Sequence, residues 1–292
     1  MHRTGRPGLT GLAYLSPALV FVLVFTAYPV GRMLWVSLQD WSLITPPRWV
    51  GLENYRRAFD DRQFWVSLLF TLEYTALITP ILIIGGYLLA LLCVENAPLP
   101  RLTRTIVFVP VVIGLGVSSL LWYWLLSPDF GLVNRALRDL GVVDGPVVWL
   151  GVDAQVSNLA IIVSVTWKVI GFGMILFVGA IQSIPVEITE AAMVDGAGHW
   201  QRVRRIVVPL TRRTILLVTL ISVIGSLLAF DQFYIMTAGQ PFNRTATAVF
   251  YVYLNSFPYL KLGYGAALSV ILAAIILVFT VVQMFLTRRS YV

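Results

Sequence analysis

An ionisable side chain within an apolar run is costly and points to function. This chain carries three of them, Glu73, Lys168 and Asp231. Together they could form a charge relay driven by an ion gradient, or the polar lining of a pathway. Each also has a structural reading. Glu73 lies one turn into its apolar run, where interfacial water reaches it. Lys168 can lay its stem along an aromatic surface or pair with a carboxylate. Asp231 sits among Phe230, Gln232, Phe233 and Tyr234, where ordinary packing of helix polar groups would account for it. Other chemistries lack their parts. No nucleophile and base stand together as an enzyme would require. His2 and His199 are far apart with no second soft ligand nearby, which argues against a metal site. The one cysteine, Cys93, excludes an intrachain disulfide. No Gly-x-x-x-x-Gly-Lys-Ser/Thr run is present to cradle a nucleotide phosphate.

The most informative segment is 184–210, IPVEITEAAMVDGAGHWQRVRRIVVPL. Pro185 suits the first turn of a helix, and Glu187 and Glu190 lie near its positive end. Gly196 and Gly198 allow a sharp exit. Such a helix of about 12 residues is only about 18 Å long, too short to cross a bilayer. Five arginines follow within 202–213, and Pro209 can open the next span. Two readings fit: an amphipathic loop gripping anionic lipid, or a helix docking on a partner. Small residues between acidic ones favour docking, because alanines let a helix sink into a groove while carboxylates pair at its rim.

The elements that position these residues follow from composition. Of 292 residues 58% are hydrophobic and only 12% charged, and the mean hydropathy is +0.84. A soluble domain carries about 25% charged residues. The chain is therefore read as an all-α integral membrane protein with one membrane domain over 1–292. Six apolar stretches, about 12–38, 67–95, 106–127, 157–182, 214–237 and 264–286, are each long enough to span. Short helices are expected in the loops at 51–66 and 131–140. The net charge of +7 flanks the spans, so it reads as membrane orientation and not as a nucleic-acid surface. Eleven basic residues, among them Arg3, Arg6, Arg101, Arg104, Arg202 and Arg289, fall on one side against eight on the other. That places both termini and the loop 183–213 in the cytoplasm.

The segment also resembles the EAA motif of permease subunits in binding-protein-dependent ABC importers. Here it reads Glu190-Ala191-Ala192, Asp195-Gly196-Ala197, then Ile206 and Val208-Pro209, with valine in place of a leucine. Gly51-Leu52-Glu53-Asn54-Tyr55, Gly131-Leu132-Val133-Asn134, Trp167-Lys168, Phe230-Asp231-Gln232-Phe233 and Gly263-Tyr264-Gly265 are similar to the carbohydrate (maltose-type) branch.

The resemblance implies the type I ABC importer permease fold, six transmembrane helices with a cytoplasmic coupling helix. It implies coupling to an ATPase through Glu187, Glu190, Ala191, Ala192, Asp195, Gly196, Ala197, Ile206 and Pro209. Partners would be a second permease subunit, an ATPase dimer that binds ATP and Mg²⁺, an extracytoplasmic solute-binding protein and membrane lipid. The chain itself would hold no cofactor and catalyse nothing. A solute of the disaccharide, oligosaccharide or glycerophosphodiester class would pass Trp167, Lys168, Phe172, Phe230, Asp231 and Tyr234, which supply rings and hydrogen-bonding groups suited to sugars. The alternative remains an ion-gradient-driven secondary transporter using the intramembrane charges.

Overall fold

The computed structural model describes residues 7–95 and 97–288. His2, Arg3, Arg6 and Arg289 lie outside the described residues. Among the described residues, four helical runs are long and apolar enough to cross a bilayer: Tyr14–Ser37, Arg62–Cys93, Ala154–Gln182 and Leu262–Gln283. Two bent pairs, Pro98–Val112 with Leu115–Leu125 and His199–Leu210 with Arg212–Leu227, raise the count to as many as six. Large apolar side chains such as Ile84, Leu92, Val109 and Leu277 stand exposed along these helices, as suits surfaces solvated by lipid tails.

The chain groups into two compact units, 1–62 with 252–274, and 63–251 with 275–292. In the first, α1 (Pro7–Val22) runs through a π-helical turn into α2 (Tyr28–Ser37). A two-stranded antiparallel hairpin, β1 (Gln39–Asp40) with β2 (Arg48–Trp49), leads to α3 (Glu53–Asp60). One buried amide ties these together. Asn54 donates to the carbonyls of Ser37 at 2.9 Å and Gln39 at 2.8 Å. Gly263 passes against the same hairpin, where a Cβ would sit 1.9 Å from the Gln39 carbonyl oxygen. Tyr264 donates to Asp61 at 2.6 Å and takes the Arg57 guanidinium over its ring.

The second unit holds α4 (Arg62–Cys93, from residue 63), α5 (Pro98–Val112), α6 (Leu115–Leu125), α7 (Leu132–Asp139) and α8 (Ala154–Gln182). Then come α9 (Val186–Val194), α10 (His199–Arg202), α11 (Val208–Leu210), α12 (Arg212–Leu227) and α13 (Asp231–Met236). Last in order, α14 (Ala248–Ser256) and α15 (Leu262–Arg288) each contribute to both units. Gly171 of α8 lets α5 approach so closely that a Cβ would lie 2.3 Å from the Val107 carbonyl oxygen. Tyr87, Cys93, Met174, Phe177, Val178 and Val218 form a buried cluster among α4, α8 and α12.

Two of the expected continuous spans are interrupted. The stretch 106–127 breaks at Ile113, whose backbone is extended, and turns by 100° into α6. The break frees carbonyls at the end of α5, and Lys168 Nζ donates to one of them, Val111, at 3.0 Å. The stretch 214–237 leaves the helix at Leu227 and resumes as the short α13. There the freed Ala229 carbonyl accepts from the Thr247 hydroxyl at 2.7 Å. In hydrocarbon a helix can break only where such partners satisfy the backbone.

Candidate functional site

Two features of the second unit bear on function, the exposed α9 and a cavity between the helices. Pro185 stands immediately before α9 and Glu187 lies in its first turn. The helix is nine residues long and buries none of them. Its exit is a Schellman turn: Ala197 N donates to the Ala192 carbonyl at 2.9 Å and Gly196 N to that of Met193 at 3.0 Å. This requires the left-handed φ of +79° that Gly196 adopts. Gly198, at an ordinary φ of −64°, then starts α10. Glu190, Ala191 and Asp195 are exposed, while Ala192 and Ala197 are half-buried. Val186, Ile188, Met193, Val194 and Trp200 add an uncovered apolar surface.

From α10 the chain returns through a π-helical turn, Val203–Val207, whose two valines are buried. Ile206 is half-buried and Pro209 exposed within this limb. At Thr211 the path bends by 69° into α12. Around the same end, the Arg104 guanidinium donates to the last carbonyls of the α4 end, Cys93, Val94 and Glu95. Gln182 donates to Val94 as well, at 2.9 Å. The site thus pairs an unburied helix with a rigidly tied base.

The cavity, of about 210 Å³, lies between α4, α6, α8, α12 and α13. Aliphatic side chains make most of its wall, and Tyr74, Phe172, Ser222, Ser226 and Gln232 add rings and polar groups. Gln232 is 3% exposed; its amide nitrogen reaches the Tyr74 hydroxyl at 3.4 Å. Its carbonyl oxygen Oε1 has no partner among the described residues. An orphan amide oxygen at such burial is unusual, and it belongs to a residue of the cavity wall.

Of the residues expected along a pathway, Phe172 lines this cavity. Phe230 and Tyr234 stack at 5.3 Å, and both meet the Phe250 ring edge-on. Asp231 is half-buried at the first position of α13. Trp167 packs edge-on against Trp122, and Lys168 is committed to Val111. Tyr74, Ser222 and Ser226 are not expected along the pathway from the sequence, because no charge or motif marks them, and Gln232 reads there only as a neighbour of Asp231. Their signal is the four-residue spacing of Tyr74, Ile78 and Leu82, and of Ser222 and Ser226, which puts each set on one helix face.

Residues 68–290 match the family described as binding-protein-dependent transport system inner membrane component. The chain is 31% identical over 287 residues to the trehalose/maltose transport system permease protein MalF of Thermococcus litoralis, covering 97% of this chain and 95% of that protein. It is also 31% identical over 284 residues to the sulfoquinovosyl glycerol transport system permease protein SmoG of Agrobacterium fabrum, covering 97% and 91%. Among solved structures it resembles a chain of a bacterial alginate ABC transporter in complex with alginate pentasaccharide-bound periplasmic protein. The TM-score is 0.84 at 26% identity, over 97% of this chain and 95% of that one.

Proposed function

This chain belongs to the binding-protein-dependent transport system inner membrane component family, and from that membership we propose that it is the permease subunit of an ATP-driven sugar importer. One permease domain over 1–292 carries a disaccharide, an oligosaccharide or a glycerophosphodiester-like solute by alternating access. An extracytoplasmic binding protein delivers the solute, and a second permease completes the pathway. A dimer of ATPase subunits binds ATP and Mg²⁺ and does the hydrolysis. The protein resides in a bacterial or archaeal cytoplasmic membrane with both termini and the loop 183–213 inside.

The observation that carries this reading is α9, a rigid short helix that buries nothing of its own chain. Glu187, Glu190, Ala191, Ala192, Asp195, Gly196 and Ala197 form its docking face and exit. Ile206 and Pro209 lie on the limb that leads its movement into α12. Rigid-body rotation passes through such an element without deforming it. The solute route runs by the cavity at Phe172, Tyr74 and Gln232, with the Phe230–Tyr234 stack and Asp231 next in the chain, while Trp167 and Lys168 hold the neighbouring helices through Trp122 and Val111. The names of the relatives support the sugar class.

Uptake of labelled trehalose, maltose and lactose into vesicles holding the reconstituted complex tests the proposal. Uptake is expected to require both ATP and the binding protein. Uptake driven by an ion gradient without ATP would overturn it.

A further inference from the structure

At the ends of α4 and α8 farthest from α9 a second cavity opens, of about 360 Å³. Glu73, Gln155, Asn158 and Arg244 line it, beside the Phe70 ring. Glu73 and Arg244 border the same space, yet no ion pair joins them. Asn158 is 4% exposed, and among the described residues its amide oxygen has no hydrogen-bond partner. Buried polar atoms of this kind are normally satisfied.

This cavity is distinct from the one lined by Gln232. Phe233, fully buried, stands between them, with its ring edge-on to Phe70 at 5.4 Å and to Tyr74 at 5.0 Å. Phe70 lines the outer space and Tyr74 the inner one. The Phe70, Phe233 and Tyr74 rings thus form a row between an open outer cavity and the inner one, both bordered by α4 and α8.

The polar lining selects a chemistry. A carboxylate only accepts hydrogen bonds, a guanidinium only donates, and an amide does both. A simple anion would meet Glu73 and a simple cation would meet Arg244, each with like-charge repulsion. A neutral molecule with several hydroxyls can donate to Glu73, accept from Arg244 and do both with the Gln155 amide, and it presents C–H faces to the Phe70 ring.

We infer that this outer cavity is a holding subsite for a neutral polyhydroxylated solute, occupied before the chamber behind Phe233. It rests on the sugar-importer reading above and adds a site to it.

The test uses the complete importer with its binding protein. Glu73→Gln and Arg244→Gln alter two exposed side chains and leave the fold undisturbed. Each is expected to lower uptake of trehalose, maltose or lactose about tenfold at saturating binding protein, as the loss of a charged hydrogen bond does. The amount of assembled complex is expected to stay unchanged. In a Cys93→Ser background, Leu69→Cys places a thiol on the cavity wall. The transported sugar is expected to slow its alkylation by a maleimide, and Glu73→Gln to remove that protection. Uptake at the wild-type rate by both charge variants overturns the subsite, as does labelling that no sugar slows. Failure of the sugar reading itself looks different: the wild-type complex would then import none of the three sugars. Unprotected labelling in that case rejects the subsite as well.

Discussion

The Tyr87 hydroxyl lies 2.8 Å from Thr211 Oγ1 and joins α4 to the point where the loop bearing α9 turns into α12. Thr211 Oγ1 is also 2.8 Å from the Val207 carbonyl. A hydroxyl has one proton, so when Thr211 gives its own to Val207, Tyr87 donates to Thr211. Thr211 is 2% exposed and Tyr87 packs edge-on against Phe177. The joint thus links the limb that carries α9 to α4 and, through the Phe177 ring, to α8.

Removing one hydroxyl tests the joint. Tyr87→Phe and Thr211→Val are expected to lower solute transported per ATP hydrolysed severalfold, whereas Thr211→Ser keeps the donor and the ratio. An interhelical hydrogen bond in a membrane contributes about 0.6 kcal/mol on average, so the complex still assembles. Parallel assays of uptake and hydrolysis on reconstituted complexes measure the ratio.

Gly196 and Gly198 separate conformation from crowding, since a Cβ at either meets open space. Only Gly196 has a positive φ, +79°. A left-handed backbone costs a non-glycine residue about 1–2 kcal/mol, and asparagine tolerates it best. Gly196→Val is expected to impair coupling, Gly196→Asn to retain much of it, and Gly198→Ala to behave as wild type. Binding-protein-stimulated ATP hydrolysis ranks the three.

Asn134 is fully buried and serves four groups. It donates to the Ser127 and Val147 carbonyls and accepts from Val147 N and Trp149 Nε1. Asn134→Ala leaves buried groups unpaired, each at about 1–3 kcal/mol. A lower midpoint of thermal unfolding in detergent is the expected result, and Asn54→Ala should act the same way in the other unit.

Lys168 distinguishes the two transport mechanisms. Its ammonium holds the end of α5 through Val111, so Lys168→Met is expected to reduce thermal stability while ATP-driven uptake persists. A charge relay would instead lose transport altogether.

Much of this was legible in the residues. Hydropathy marked the apolar stretches, and the Pro185, Gly196 and Gly198 punctuation marked a short helix that matches Val186–Val194. The glycine and asparagine motifs were visible as patterns, but their purpose was not. Asn54 and Asn134 are staples whose partners lie up to 17 residues away, and Gly263 and Gly131 admit close backbone approach. The β hairpin was missed because each strand is two residues long. The breaks after Val112 and Leu227 were missed because the hydropathy continues across them. What permits them is a hydrogen bond from Lys168 or Thr247, a tertiary partner that no local window contains.

The most direct measurement is affinity purification of this chain, tagged and co-expressed with the genes beside its own, with ATP hydrolysis assayed on the product. The expected product contains a stoichiometric ATPase whose hydrolysis the liganded binding protein stimulates, with stimulation lost in Glu190→Lys. Recovery of a stable chain alone that carries solute down an ion gradient would contradict it.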